Sequence, residues 1–158
     1  MINISYFPYA KKHIFVCMKC PLCKQKETLF YKADKRRAFF ICEDCGLIFV
    51  PPRFHLSPDE EKSRYEKHEN NIENEGYKNF LQKIIKQIEK AAPYGASCLD
   101  FGCGPVPVLS EMLREKGFEV KEYDLFFKKD DSAFKSKYDV ITASEVLEHL
   151  RNPLAETK

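Results

Sequence analysis

Two groups of residues in this 158-residue chain have the types and spacing to do chemistry. The first is a set of thiols, Cys20-Pro-Leu-Cys23 and, after eighteen intervening residues, Cys42-Glu-Asp-Cys45. A two-residue gap lets both sulfurs of a pair point at one ion, and a hairpin that brings the pairs together completes a tetrahedron suited to zinc. The second is Cys98-Leu-Asp-Phe-Gly-Cys-Gly-Pro105, an apolar strand with an acid near its end that runs into two closely spaced glycines. Gly102 and Gly104 let the backbone turn sharply and approach a ligand that a Cβ would obstruct. Twenty residues past Gly104, the apolar run Phe118, Val120, Tyr123 ends in Asp124. A carboxylate there can accept hydrogen bonds from both hydroxyls of a ribose, as at the switch point of a parallel sheet.

The elements that must position the thiols are short. Residues 28–31 and 38–41 read as strands joined near Asp34-Lys35, and residues 47–50 as a last strand before the breaker Pro51-Pro52. With Gly46 placed for the tight turn after Cys45, this is the pattern of a small β zinc ribbon over residues 17–53, behind a leader of residues 1–16. Cys20, Cys23, Cys42 and Cys45 are the expected ligands; Cys17 with Cys20 forms an alternative first pair. A module this small buries too little apolar area to fold alone, and metal binding supplies the difference, about 10–16 kcal/mol in apparent terms. At the hairpin tip Lys32, Lys35, Arg36 and Arg37 crowd together beside Phe39 and Phe40. Cations beside aromatics can hold single-stranded nucleic acid by phosphate contact and stacking; the plainer alternative is a solvated turn beside core phenylalanines.

Bulk composition narrows the class. Charged residues are 32% and hydrophobic ones 44%, which indicates a globular chain rather than a disordered one. A net charge of +2 gives no argument for a large nucleic-acid footprint. The first basic residue is Lys11 and the apolar run of residues 14–16 is too short for a secretory signal, and no stretch approaches the roughly 20 apolar residues of a membrane span. Seven cysteines, four of them in Cys-x-x-Cys pairs, favour reduced thiols around a metal and a cytoplasmic location over a disulfide framework.

Residues 54–92 read as a helical linker. Ser57-Pro-Asp-Glu60 has the serine, proline and acids of a helix start, and the helix carries Tyr65 and His68 on one face. A second helix opens at Tyr77, with Phe80, Leu81, Ile84, Ile85 and Ile88 forming a face that should pack on a sheet. Residues 106–116 have a helical pattern after the glycine turn, and residues 138–143 read as a buried strand.

The dinucleotide-binding fingerprint wants glycine at the first, third and sixth positions of the loop; here the sixth is Pro107, so that fingerprint fails. The string Asp100-Phe-Gly102-Cys-Gly104-Pro-Val106 instead resembles the acid-x-Gly-x-Gly-x-Gly motif of the class I S-adenosylmethionine-dependent methyltransferases, with its last glycine replaced by Val106. Tyr138-Asp-Val and Val146-Leu-Glu-His-Leu150 resemble the family's fourth-strand motif, and the segment from Arg64 to Leu81 resembles the leading segment of bacterial members that carry an N-terminal zinc ribbon.

The resemblance implies an α/β fold, a doubly wound Rossmann-like methyltransferase sheet preceded by the small β ribbon, with residues 93–158 as the N-terminal part of the methyltransferase domain. Only three or four strands are readable before Lys158, so the resemblance leads one to expect a C-terminally incomplete domain. It implies S-adenosylmethionine held by Asp100, Phe101, Gly102, Cys103, Gly104, Asp124, Leu125, Ser144 and Tyr77, with Phe126 or Phe127 as an apolar wall and Asp130 or Asp131 reaching the base amine. Tyr65, His68 and Tyr77 become lid candidates. His68, Glu145 and His149 are candidate bases for methyl transfer to an unidentified acceptor. The alternative is a non-catalytic ribbon module that binds nucleic acid or a protein on an inactive methyltransferase-like domain.

Overall fold

The computed structural model describes residues 15–67 and 74–156; the candidate base His68 lies outside them. The chain divides into two compact units. One consists of described residues 15–55 and 150–156, the other of Leu56–His149.

The first unit is an antiparallel sheet of β1 (Phe15–Cys17), β2 (Glu27–Ala33), β3 (Ala38–Cys42) and β4 (Ile48–Phe49), in that spatial order. β1 begins two residues before the expected start of the ribbon. The β2–β3 turn is fixed by Asp34, whose Oδ1 accepts the N–H groups of Arg36 and Arg37, both at 2.7 Å. Leu29, Phe40 and the two first-position cysteines, Cys20 and Cys42, form most of what this unit buries. A short helix, α4 (Pro153–Glu156), closes the described chain, and Asn152 just before it accepts a 3.1 Å hydrogen bond from Lys24 Nζ.

The second unit opens with α1 (Pro58–Glu66), which follows a complete capping box: Ser57 accepts from the Glu60 N–H, and the Glu60 carboxylate accepts from the Ser57 N–H and hydroxyl. This helix buries no residue fully, so its capping matters more than usual to its existence. α2 (Glu75–Ala91) starts at an Asn74 cap, two residues before the sequence reading placed it. It presents Leu81, Ile85 and Ile88 to the core as its spacing requires. Phe80 departs from that face: it is 40% exposed and stacks on Tyr77.

Three parallel strands follow, β5 (Ser97–Phe101), β6 (Glu119–Tyr123) and β7 (Val140–Thr142), with β5 in the middle. α3 (Val108–Glu115) makes the crossover from β5 to β6, and a 3-10 turn over Asp131–Lys135 lies between β6 and β7. Alternation along β5 sends Cys98 into a core with α2 and α3 on one face, and Leu99 and Phe101 toward Tyr123, Ala133 and Tyr138 on the other.

Two buried acids face each other in this sheet, Asp100 and Glu122. Glu122, opposite Asp100 in the β5–β6 register, has its side chain 2% exposed between Arg114, at 2.6 Å, and Lys128. Burial alone would push its carboxyl up; the two cations outweigh that and hold it below the ordinary glutamate value. A lowered carboxyl contributes stability above its unfolded value and loses that contribution as pH falls toward the folded one. Glu122→Gln is therefore expected to cost about 1.5–3 kcal/mol at pH 7. The gap from wild type should close as thermal unfolding is followed down through the ordinary glutamate range; a gap unchanged by acid would contradict this.

Candidate cofactor site and metal centre

The four thiols that the spacing singles out come together, with every pair of sulfurs within 4.8 Å. Cys20 and Cys45 are 3.6 Å apart, and Cys23 and Cys42 3.5 Å. Zinc–sulfur bonds of about 2.3 Å put the sulfurs of a regular tetrahedron about 3.8 Å apart, so the donor set fits a tetrahedral zinc ion. The two knuckles are geometric copies. In each, the first cysteine's carbonyl accepts the N–H of the residue four on, Lys24 in one and Gly46 in the other. Those residues have φ of 64° and 72°, which lets the chain fold back under the sulfurs. Backbone N–H groups then aim at the thiols: Gln25 at Cys23, Cys45 and Asp44 at Cys42, and Leu47 at Cys45. Such donors favour thiolate, and that of Cys45 leads in drawing Cys42 down to about 7.

The glycine turn is tied to the neighbouring strand rather than opened toward solvent. The N–H groups of Gly102 and Cys103 both donate to the Tyr123 carbonyl, at 2.7 and 3.1 Å, and the Gly104 N–H donates to Asp124 Oδ2 at 3.0 Å. The N–H groups of this turn are thus engaged within the protein. Gly102, at φ 76°, could carry no side chain, because a Cβ would fall 2.4 Å from Val146 Cγ2. Gly104, at φ 70°, has open space where its Cβ would be.

The two acids of the motif differ in setting. Asp100 is 3% exposed and accepts hydrogen bonds from Ser110 Oγ at 2.7 Å and Thr142 Oγ1 at 2.9 Å. Its carboxyl is pushed up by burial, which these two hydroxyls partly offset. It braces the end of β5 against α3 and β7; Ser110 and Thr142 escaped the sequence reading because a lone serine or threonine carries no motif. Asp124 sits just past β6. Its Oδ1 accepts the N–H groups of Phe126 and Phe127, at 2.8 and 3.1 Å, so three of about four lone-pair positions on the carboxylate are taken. Cys103 is protonated at neutral pH, its thiol raised to about 12 by burial and by Asp100, Asp124 and Glu122.

The remaining candidates come from α1 and α2 and from the segments that follow β6 and β7. Ser144, two residues past β7, has a buried Oγ with no hydrogen-bond partner among the described residues. Glu145 is exposed and adopts φ 57°, a left-handed conformation that costs a non-glycine residue about 1–3 kcal/mol. Tyr77 is half-buried, and its phenol is raised by desolvation and by the charges of Asp100 and Glu145. Tyr65 of α1 lies 6.2 Å from Phe126 and meets His149 edge-on at 5.8 Å, while Lys62 stands over Phe127. His149 ends a 3-10 turn over Leu147–His149. Leu125 is exposed. Asp130 is drawn elsewhere: it accepts from Lys121 and from the Ser132 N–H, which hold it well below the ordinary range.

Residues 74–158 match the profile of a family described as Methyltransferase domain, a span of more than half the chain. The chain belongs to that family, the class I S-adenosylmethionine-dependent methyltransferases, and its clustered thiols fit a zinc ribbon. No curated protein and no solved structure matches it. Among the described residues no helix is long and apolar enough to cross a membrane.

The thiol geometry generates a direct prediction. The refolded chain is expected to take up one zinc ion per molecule, measured by a chromophoric chelator, and Cys42→Ser to lose it. Because the thiols must shed protons to bind, affinity should fall as pH drops below 7; uptake by Cys42→Ser equal to wild type would rule the site out.

Proposed function

We propose that this chain binds S-adenosylmethionine and transfers its methyl group to an acceptor, on a Rossmann-like parallel sheet, and that it also carries a ribbon whose zinc is structural. The observation that carries the reading is the Gly104–Asp124 hydrogen bond, which joins a positive-φ glycine turn to an acid at the carboxyl ends of adjacent parallel strands. Ligands of open parallel sheets bind in that place.

In this reading residues 17–53 are the ribbon, 54–92 a helical segment over the site, and 93–158 the methyltransferase part. Asp124 offers its remaining lone pair to a ribose hydroxyl. The open side of Gly104 admits the ligand backbone, and Asp100, held by Ser110 and Thr142, positions the turn from behind. Ser144 supplies its unpartnered hydroxyl. Phe101, Leu125 and Tyr77 add apolar surface, and Phe126 walls the site beneath Tyr65. The cofactor brings an electrophilic methyl on a positive sulfur, so the protein's work is mainly to orient the acceptor and exclude water. An acceptor hydroxyl or ammonium needs a group to take its proton. Of the candidates, Glu145 is favoured by its exposure and its strained backbone, while His149 is engaged with Tyr65.

Calorimetric titration of S-adenosylmethionine into the zinc-loaded chain tests the cofactor site. Micromolar binding is expected. It should weaken at least tenfold in Asp124→Asn, whose fold is checked by circular dichroism because that carboxylate also holds the turn. A folded wild-type chain with no affinity would refute the reading. For the acceptor side, Glu145→Gln should leave cofactor affinity unchanged and slow turnover by about 10²–10⁴ once an acceptor is in hand. Unimpaired turnover would remove Glu145 from the chemistry.

A further inference from the structure

The β2–β3 hairpin carries a surface that neither the zinc nor the proposed methyl transfer uses. Between Phe30 and Lys32 the register slips: Phe30 pairs with Phe40, but the next β3 residue, Phe39, pairs with Lys32. The bulge thus sets two residues, Tyr31 and Lys32, opposite Phe39, and a bulge of this kind re-aims a side chain that regular alternation would send to the other face. Lys32 Nζ lies 5.8 Å from the Tyr31 ring centroid and 5.4 Å from that of Phe39. The Arg37 guanidinium stands 5.1 Å from the same Phe39 ring. Tyr31 is 50% exposed.

Charge at this end is one-sided. Lys32, Lys35, Arg36 and Arg37 face a single carboxylate, Asp34, which is spent on the turn and on Arg37 at 3.4 Å. Among the described residues Lys32, Lys35 and Arg36 have no ion-pair partner within 4.0 Å. Phe40, which the sequence placed beside these cations, is 4% exposed and belongs to the core; Tyr31, which the sequence reading passed over, takes its place.

We propose that the hairpin tip binds single-stranded nucleic acid, with a base stacked on Tyr31 beside Phe39 and phosphates held by Lys32, Lys35 and Arg36. An acidic peptide would use the cations and leave the exposed ring idle. A single strand uses both, since every base has a face to stack and a phosphate follows each sugar. The turn is pre-ordered by Asp34, so little ordering cost falls on binding. The patch is compact, so the footprint is a few nucleotides and the affinity modest.

The test is fluorescence anisotropy of the zinc-loaded full chain with a labelled twelve-nucleotide oligouridylate. A blunt duplex of equal length, polyglutamate and phosphatidylserine vesicles serve as competitors. Binding to the single strand is expected, with a log–log salt slope of about −2 to −3 for three or four phosphate contacts. Tyr31→Ala should weaken it at least fivefold, with Tyr31→Phe restoring it. Lys35→Ala should weaken it and make the slope shallower by about 0.7. All three variants should keep full zinc content. No binding at 50 mM salt would overturn the proposal. So would binding that Tyr31→Ala leaves unchanged, or that polyglutamate, duplex or vesicles displace as readily as the unlabelled strand. Because the readout needs no S-adenosylmethionine, failure of the cofactor titration and failure of this one are separate results.

Discussion

Three consecutive backbone N–H groups, those of Gly102, Cys103 and Gly104, are all received at the end of β6, two by the Tyr123 carbonyl and one by the Asp124 carboxylate. A turn that left those donors buried and unpaired would lose about 1–3 kcal/mol for each. The path of the chain after β5 therefore depends on the parallel register that sets Phe101 beside Tyr123. The same register aligns Asp100 with Glu122 and Thr142, so the hydroxyl of β7 reaches the buried acid of β5. Val146 packs against Gly102 so closely that only glycine fits, which ties the segment after β7 to the turn after β5. The ends of all three strands are held as one unit.

The charges around that turn are arranged by burial as much as by partners. Asp100 and Glu122 are cross-strand neighbours, and two carboxylates so placed resist ionising together. Their settings separate them: Asp100 has only hydroxyls and is pushed up, while Glu122 has Arg114 and Lys128 and is pushed down. The thiol between the two glycines is pushed up by burial first, and then by Asp100, Asp124 and Glu122. Cys103 thus stays a protonated thiol in a turn flanked by carboxylates.

The first unit solves a different problem. Its buried set is small, and two of its most buried residues are cysteines whose sulfurs meet those of Cys23 and Cys45. A metal held there would substitute for apolar core. The paired knuckles, each ended by a residue at positive φ, gather the four thiols at one end of the hairpin. The far end carries the bulge, the exposed Tyr31 ring and the cations Lys32, Lys35 and Arg36.

Much of this was legible in the chain itself. Cysteine spacing named the four thiols because chelation depends on local geometry within each pair. Ser57-Pro-Asp-Glu60 announced α1, since a capping box is a contact between residues three apart. Leu81, Ile85 and Ile88 declared the buried face of α2 by period alone, and the glycine motif with Asp124 marked the turn and its neighbouring strand. Only the tertiary structure decided the rest, because it turns on contacts between residues far apart in sequence. Asp100 is claimed by Ser110 and Thr142, ten and forty-two positions away, and no local pattern announces that. Phe39 and Phe40 look alike in sequence, but strand alternation puts one ring beside the cations and the other in the core. Lys32 reaches the Phe39 ring only because β2 carries one extra residue between Phe30 and Ala33 relative to the stretch of β3 it pairs with, a property of the pairing and not of either strand alone.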